Sequence, residues 1–244
     1  MLADDLRGVY FILLKDLKAY YFKPPNISWG ILFPLVLTLA FSLRNPVGLL
    51  ELAPGLIAMA AVFGTTSMEA IVITFERRTG ALERLLIAPI SLKAILMGKV
   101  LGGTVFGLMI SGFMTIISIT FFGMGLVAPL WFLISLILTL LTLSALGALV
   151  AVSVKEVFEA QTLSNYFRFP MIFLCGVFIP VGAMPAPLQA VAYLLPLTYS
   201  VASLRATTIG VSSSLGLIVP LAALSLFLVG FLAAAHALLK KSLK

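Results

Sequence analysis

Nine acidic and sixteen basic residues, one histidine and one cysteine are the carboxylates, cations, imidazole and thiol that 244 residues offer for acid–base, nucleophilic or metal chemistry. Several of them sit inside long apolar runs, where an ionisable side chain is costly and marks function by default. Glu69 interrupts AVFGTTSMEAIVITF, Lys99 interrupts AILMGKVLGG, and Arg168 stands between Phe167 and Phe169 with Pro170 beside it. At 1.5 Å rise per residue, Glu69 and Lys99 fall roughly 7–9 Å inside their apolar runs from the same side. Depth alone lets them pair across a helical hairpin. The other reading has Lys99 reaching out to the headgroups and Glu69 facing a wet vestibule. Arg168 suits either a gate or substrate contact, or a structural role beside the kink or local opening expected at Pro170.

Catalysis finds little to work with. His236 has no Cys, Asp or Glu near it in sequence, Cys175 lies in the apolar FLCGVF, and neither H-E-x-x-H nor G-x-S-x-G occurs. A single cysteine forms no internal disulfide, and no metal-ligand set is expected. Gly98-Lys99 is followed by Val100, and Lys93 stands where a P-loop would need its first glycine. The chain is therefore expected to be no enzyme and to bind no cofactor by itself.

The densest charge lies in FERRTGALERLLIAPISLKAI, from Phe75 to Ile95. Leu82, Leu85, Leu86 and Pro89 recur at i, i+3, i+4, i+7, which puts them on one face of a short helix. Glu83 and Arg84 take the other face. Gly80 offers a break before that helix, Pro89 ends it, and Ser91 is a good N-cap for the next span. Arginines alone would fix membrane orientation; mixed charge on a defined helix describes a docking surface for another protein.

The elements that carry these residues are set by composition. The chain is 61% hydrophobic and 10% charged, with a mean hydropathy of +1.18, against about 25% charged residues in a soluble domain. The sequence predicts an all-α polytopic membrane protein forming a single domain over 1–244. A span needs roughly 20 apolar residues, and six segments qualify: 27–43, 52–75, 94–122, 127–153, 157–180 and 215–238. Between the last two, Pro185, Pro187 and Pro196 interrupt an apolar stretch whose unbroken piece is too short to cross, as in a re-entrant or interfacial segment.

Six spans place fourteen of the sixteen basic residues on one side and leave only Arg44 and Arg205 opposite. That asymmetry puts both termini in the cytoplasm. The net charge of +7 is then a topology signal, with no nucleic acid expected as partner. Residues 1–25 lack a cleavable signal pattern, since Asp4 and Asp5 occupy the n-region. Leu6, Val9, Tyr10, Leu13, Leu14, Leu17, Tyr20 and Tyr21 instead recur at helical spacing, with Arg7, Lys15, Asp16 and Lys18 largely opposite. The pattern predicts an amphipathic helix lying in the inner interface, or packed on the bundle, and stopped by Pro24-Pro25. Small residues at Gly98, Gly102, Gly103, Gly107, Ser111, Ser144, Gly147, Ala148 and Ala151 allow close helix approach.

Two stretches carry a resemblance. ERRTGALERLLIAPIS with the succeeding MGKVLG resembles the cytoplasmic signature of ABC-2 type transporter permeases. FLCGVFIPVGAMPAPLQAVAYLLPLTYSVASLR resembles the second signature of that family. The resemblance implies that Ala81–Ile87 is a coupling helix seated in a groove of a nucleotide-binding ATPase subunit. Glu76, Arg77, Gly80, Leu82, Glu83, Arg84, Leu85 and Pro89 would form that docking region, with Glu76, Arg77, Glu83 and Arg84 facing the partner. Pro180 and Met184–Tyr199, with Pro185 and Pro196, would form a re-entrant outer hairpin near the exit of the transport path. The family works with two permease copies, identical or paralogous, and two ATPase subunits that bind ATP and Mg²⁺ and drive export. An ion-coupled secondary transporter using Glu69 and Lys99 is the competing reading, though no internal repeat supports it.

Overall fold

The computed structural model describes residues 2–44, 48–210 and 216–242, and every element among them is helical. Residue 1 of the expected interfacial helix, the expected span start at 215 and Lys244 of the basic tail lie outside the described residues. Helix α1 (Leu2–Asp16) continues through a wider π turn, Leu17–Tyr21. Pro24 then opens α2 (Pro24–Arg44), because a proline needs no N–H in the first turn of a helix. Next come α3 (Leu49–Arg78), the short α4 (Ala81–Ile87), α5 (Leu92–Phe122), α6 (Pro129–Ser153) and α7 (Val157–Leu174). A single 3₁₀ turn, Val181–Ala183, precedes α8 (Ala186–Tyr193), α9 (Pro196–Thr208) and α10 (Ile218–Ser242).

Four of these, α3, α5, α6 and α10, are long and apolar enough to cross a membrane. Helix α3 is the central one: 89% of its most apolar stretch is buried, against 17% for α10 at the periphery. It packs most extensively on α5 and α6, and also contacts α2, α7 and α9. Its neighbours come close because glycines face it. A Cβ on Gly147 of α6 would fall 2.5 Å from the Thr66 carbonyl oxygen, and one on Gly103 of α5 would fall 2.6 Å from Glu69 Oε2. Such small-residue contacts replace the hydrophobic drive that lipid does not supply.

Two elements depart from expectation. Helix α7 ends at Leu174 rather than running to 180, because Gly176 follows its cap at φ +83°, a left-handed stop that only glycine takes cheaply. Pro170 is accommodated within α7, which runs four residues beyond it. Helix α1 also turns differently from the predicted stripe. Ile12, Asp16, Leu17 and Tyr21 are buried against the bundle, whereas Leu6, Tyr10 and Phe11 are more than half exposed. Asp16, expected on the outward polar face, is completely buried. The helix thus seals one face on α5 and leaves a second apolar face outward.

Candidate functional site

The turn after α3 is built by its own backbone. Thr79 N–H donates to the Phe75 carbonyl at 3.0 Å and Gly80 N–H to that of Arg77 at 3.2 Å. Gly80 at φ +69° then redirects the chain into α4. Ala88 is extended, as a residue before proline prefers. Ser91 caps α5 by accepting from Ala94 N–H at 3.1 Å. Ser91 N–H in turn donates to the Asp5 carboxylate at 2.7 Å, tying α1 to the hairpin mouth. That bond from the Ser91 backbone holds the Asp5 carboxyl below its ordinary range.

On α4, Leu82 is buried and joins Ile12, Ile73, Ile95 and Leu96 in a small core, with Leu85 and Leu86 packed partly against it. Glu83 and Arg84 are exposed, and Ile87 at the helix end is 85% exposed. Pro89, expected on the inner face, is exposed, because the helix has already ended and the chain is extended there. Ile87 stands out as an apolar residue beside two charged ones, which the periodicity alone did not select.

Two of the four residues expected to face a partner turn inward instead. Glu76 is fully buried and its carboxylate is shared between Lys15 and Lys99. Arg77 is half-buried and donates to the Val154 carbonyl at 2.8 Å, bridging the ends of α3 and α6. Lys99 also binds both oxygens of Asp16, at 2.8 and 3.0 Å, and Lys15 lies 3.1 Å from Asp16. The cluster Lys15–Asp16–Glu76–Lys99 holds two charges of each sign, so it is neutral as a whole. Burial pushes the Asp16 carboxyl up, against the opposing pull of Lys99. Burial would lower Lys15, but Asp16 and Glu76 outweigh it and the ammonium is held more firmly than usual.

The expected Glu69–Lys99 pair does not form. The ammonium of Lys99 is taken up by Asp16 and Glu76, and Glu69 accepts instead from the Tyr21 hydroxyl. Glu76 lies two turns beyond Glu69 toward the hairpin mouth, so the Lys99 side chain reaches outward along α3 to meet it. Glu69 Oε1 has no hydrogen-bond partner among the described residues. Sequence reasoning missed Asp16, Lys15 and Tyr21. The signal was present: Asp16 falls between Leu13, Leu17 and Tyr20 at helical spacing, an acid inside an apolar stripe.

At the opposite end, α8 and α9 form a helical hairpin. Pro185 and Pro196 stand at the entrances of the two helices, and Tyr199 hydroxyl donates to the Tyr193 carbonyl at 2.9 Å across the break. Met184 is buried, and its carbonyl accepts from Gln189 at 2.8 Å. Pro180 is exposed at the start of the 3₁₀ turn. Helix α9 is embedded, with Leu197, Ser200, Ser203 and Leu204 buried, and its Thr207 carbonyl accepts from Ala128 N–H at the start of α6. Arg168 lies between the two ends, 4% exposed, with its guanidinium 4.4 Å from the centre of the Phe63 ring. Among the described residues no three of His, Cys, Asp and Glu are grouped as a metal site.

Residues 7–209 match the ABC-2 type transporter family. The chain is 26% identical over 183 residues to the inner membrane transport permease YadH of Escherichia coli K12, covering 74% of this chain and 70% of that protein. It is 27% identical over 217 residues to the putative transport permease ycf38 of Cyanophora paradoxa, covering 80% and 72%. With the probable multidrug ABC transporter permease YbhS of E. coli K12 it shares 24% over 207 residues, 83% of this chain but 49% of that protein. A match over most of the chain, on an all-helical bundle with four helices fit to cross a bilayer, places it: this protein belongs to the ABC-2 type transporter family and is the membrane subunit of an ABC transporter, which works with an ABC ATPase partner.

Proposed function

We propose that this chain is the permease of an ABC exporter in the cell or inner membrane, moving a hydrophobic or amphipathic substrate out of the cytoplasm. In this reading α2 and α7 join α3, α5, α6 and α10 as six spans of one domain, with both termini cytoplasmic. The ends of α3, α6 and α10, the starts of α5 and α7, and α1 then share the cytoplasmic side, which is the side of the basic residues. The α8–α9 hairpin enters from the outer side near the exit. Two permease copies, identical or paralogous, work with two ATPase subunits, and ATP with Mg²⁺ is bound there.

One observation carries the reading: α4 holds its leucines against the bundle and presents Glu83, Arg84 and Ile87 outward. Directly behind it, the buried charge cluster joins α1, α3 and α5. A push on α4 is therefore delivered to three elements together. The ion-coupled alternative loses its main support, since Lys99 is occupied by Asp16 and Glu76. Purification from the native membrane in mild detergent should bring down a stoichiometric P-loop ATPase. Glu83→Lys/Arg84→Glu should lose that ATPase with little change in thermal stability, because exposed substitutions usually cost no more than about 0.5 kcal/mol. Absence of any ATPase with the folded wild-type protein would overturn the exporter reading.

A further inference from the structure

The α3–α7 contact holds a buried cation with no anion. Arg168 is 4% exposed, and among the described residues no carboxylate pairs with it; Phe63 covers one face of its guanidinium. A charge buried without a partner is costly, and a cation–π contact offsets only about 2 kcal/mol of that. The surroundings repeat the deficit. Arg168 Nε, Ser164 Oγ and Gln161 Oε1 all lack hydrogen-bond partners, and the three residues fall at i, i+3, i+7 along α7, which is one helix face. On α3, Ser67 Oγ is likewise without a partner, one turn from Phe63 and on the same side of that helix.

Native structures satisfy nearly all buried polar atoms, so a guanidinium with its own Nε unpaired and three further orphans on the two helices that meet at it describe a site built for something that is not part of the chain. An open groove on the neighbouring, exposed face of α7 is lined by Thr162, Asn165, Tyr166, Phe169 and Pro170, and Asn165, one turn from both Gln161 and Arg168, stands at its edge nearest the orphaned stripe. The groove mixes polar groups with aromatic rings, as the head and tail of an amphiphile require.

We infer that Arg168, Ser164 and Ser67 form a recognition site for an anionic head group, a phosphate or carboxylate carried on an apolar tail, entered through the groove at Asn165. The guanidinium fork supplies charge-assisted hydrogen bonds, the two hydroxyls donate to the remaining oxygens, and the tail passes Asn165 to lie along Phe169. The inference rests on the exporter reading for its meaning as cargo recognition: the exported compound is an anionic amphiphile. A bilayer phospholipid would offer the same head group.

The test uses the purified transporter in phosphatidylcholine nanodiscs and a dodecyl phosphate bearing a mid-chain diazirine, with the dodecyl trimethylammonium analogue as control. After irradiation, mass spectrometry should locate the phosphate probe on α7 and α3 near Arg168. Labelling should fall at least about tenfold in Arg168→Gln, as loss of a charge-assisted bond implies. It should be retained in large part in Arg168→Lys, and be reduced in Ser164→Ala. The cationic analogue should not label there. Competition separates the sources: displacement by phosphatidylglycerol in the disc assigns the site to a lipid head group, and displacement by free dodecyl phosphate alone assigns it to a diffusible cargo; either outcome supports an anion site. Equal labelling by the two probes, or unchanged labelling in a folded Arg168→Gln variant, would overturn it. Labelling needs no ATP, so loss of the site and absence of the ATPase are read separately.

Discussion

The four charges behind α4 are held on unequal terms. Lys15 is 38% exposed while Asp16, Glu76 and Lys99 are almost wholly buried, so water can relax Lys15 but not the other three. Removing one buried member leaves an uncompensated charge, which costs about 3–5 kcal/mol. Glu76→Gln and Lys99→Met should each lower the melting temperature of the purified protein markedly. Because the remaining Lys15–Asp16 pair is neutral, the double variant should lose clearly less than the sum of the singles. Additive losses in a thermal melt would show that the cluster does not act as a unit.

Asp5 makes a different kind of residue-scale prediction. Its carboxyl is held below its ordinary value of 3.8 by the bond from Ser91. A group with a depressed folded pKa contributes stability that is fully present above the unfolded value and lost as pH falls through the folded one. The anchorage of α1 on the hairpin mouth should therefore loosen only below about pH 3.8. Hydrogen exchange over residues 88–93 should rise on that acidification in the wild type, and should be already raised and flat in Asp5→Asn.

Among elements, α6 lies against α3 with no space to spare. A methyl at Gly147 must displace the Thr66 backbone carbonyl rather than a flexible side chain. Gly147→Ala should cost about 1–3 kcal/mol by overpacking, read as a lower melting temperature. The same substitution at Gly112, where a Cβ meets nothing within 4 Å, should be close to neutral or slightly stabilising. Element boundaries were legible where local chemistry sets them: Gly80, Pro89 and Ser91 bracket α4 from within a few residues. They were misplaced at the end of α7, where FLCGVF reads as continuous apolar span and the stop depends on the conformation of Gly176.

Across the whole molecule, the one-sided distribution of basic residues and the apolar runs made the helical membrane architecture readable from composition and spacing. The pairing of charges was not readable, because it depends on how α1 lies across α3 and α5. Residues 83 apart in sequence, Asp16 and Lys99, meet only through that packing. Hence Glu76, close to the exposed charges in sequence, is inside the bundle, while Ile87, apolar, is outside. The orphaned polar stripe on α7 was hidden for the same reason: Gln161 and Ser164 are ordinary polar residues until α3 covers them.

In the assembled transporter proposed above, α4 is the place where the partner ATPase meets the permease. The most direct measurement places the photo-crosslinker p-benzoylphenylalanine at Ile87, with Leu194, 74% exposed between α8 and α9, as control. Irradiation in native membranes should join the Ile87 position to a P-loop ATPase and leave the Leu194 position without that product. A folded protein that crosslinks no ATPase from Ile87, or crosslinks it equally from Leu194, would rule out α4 as the docking helix.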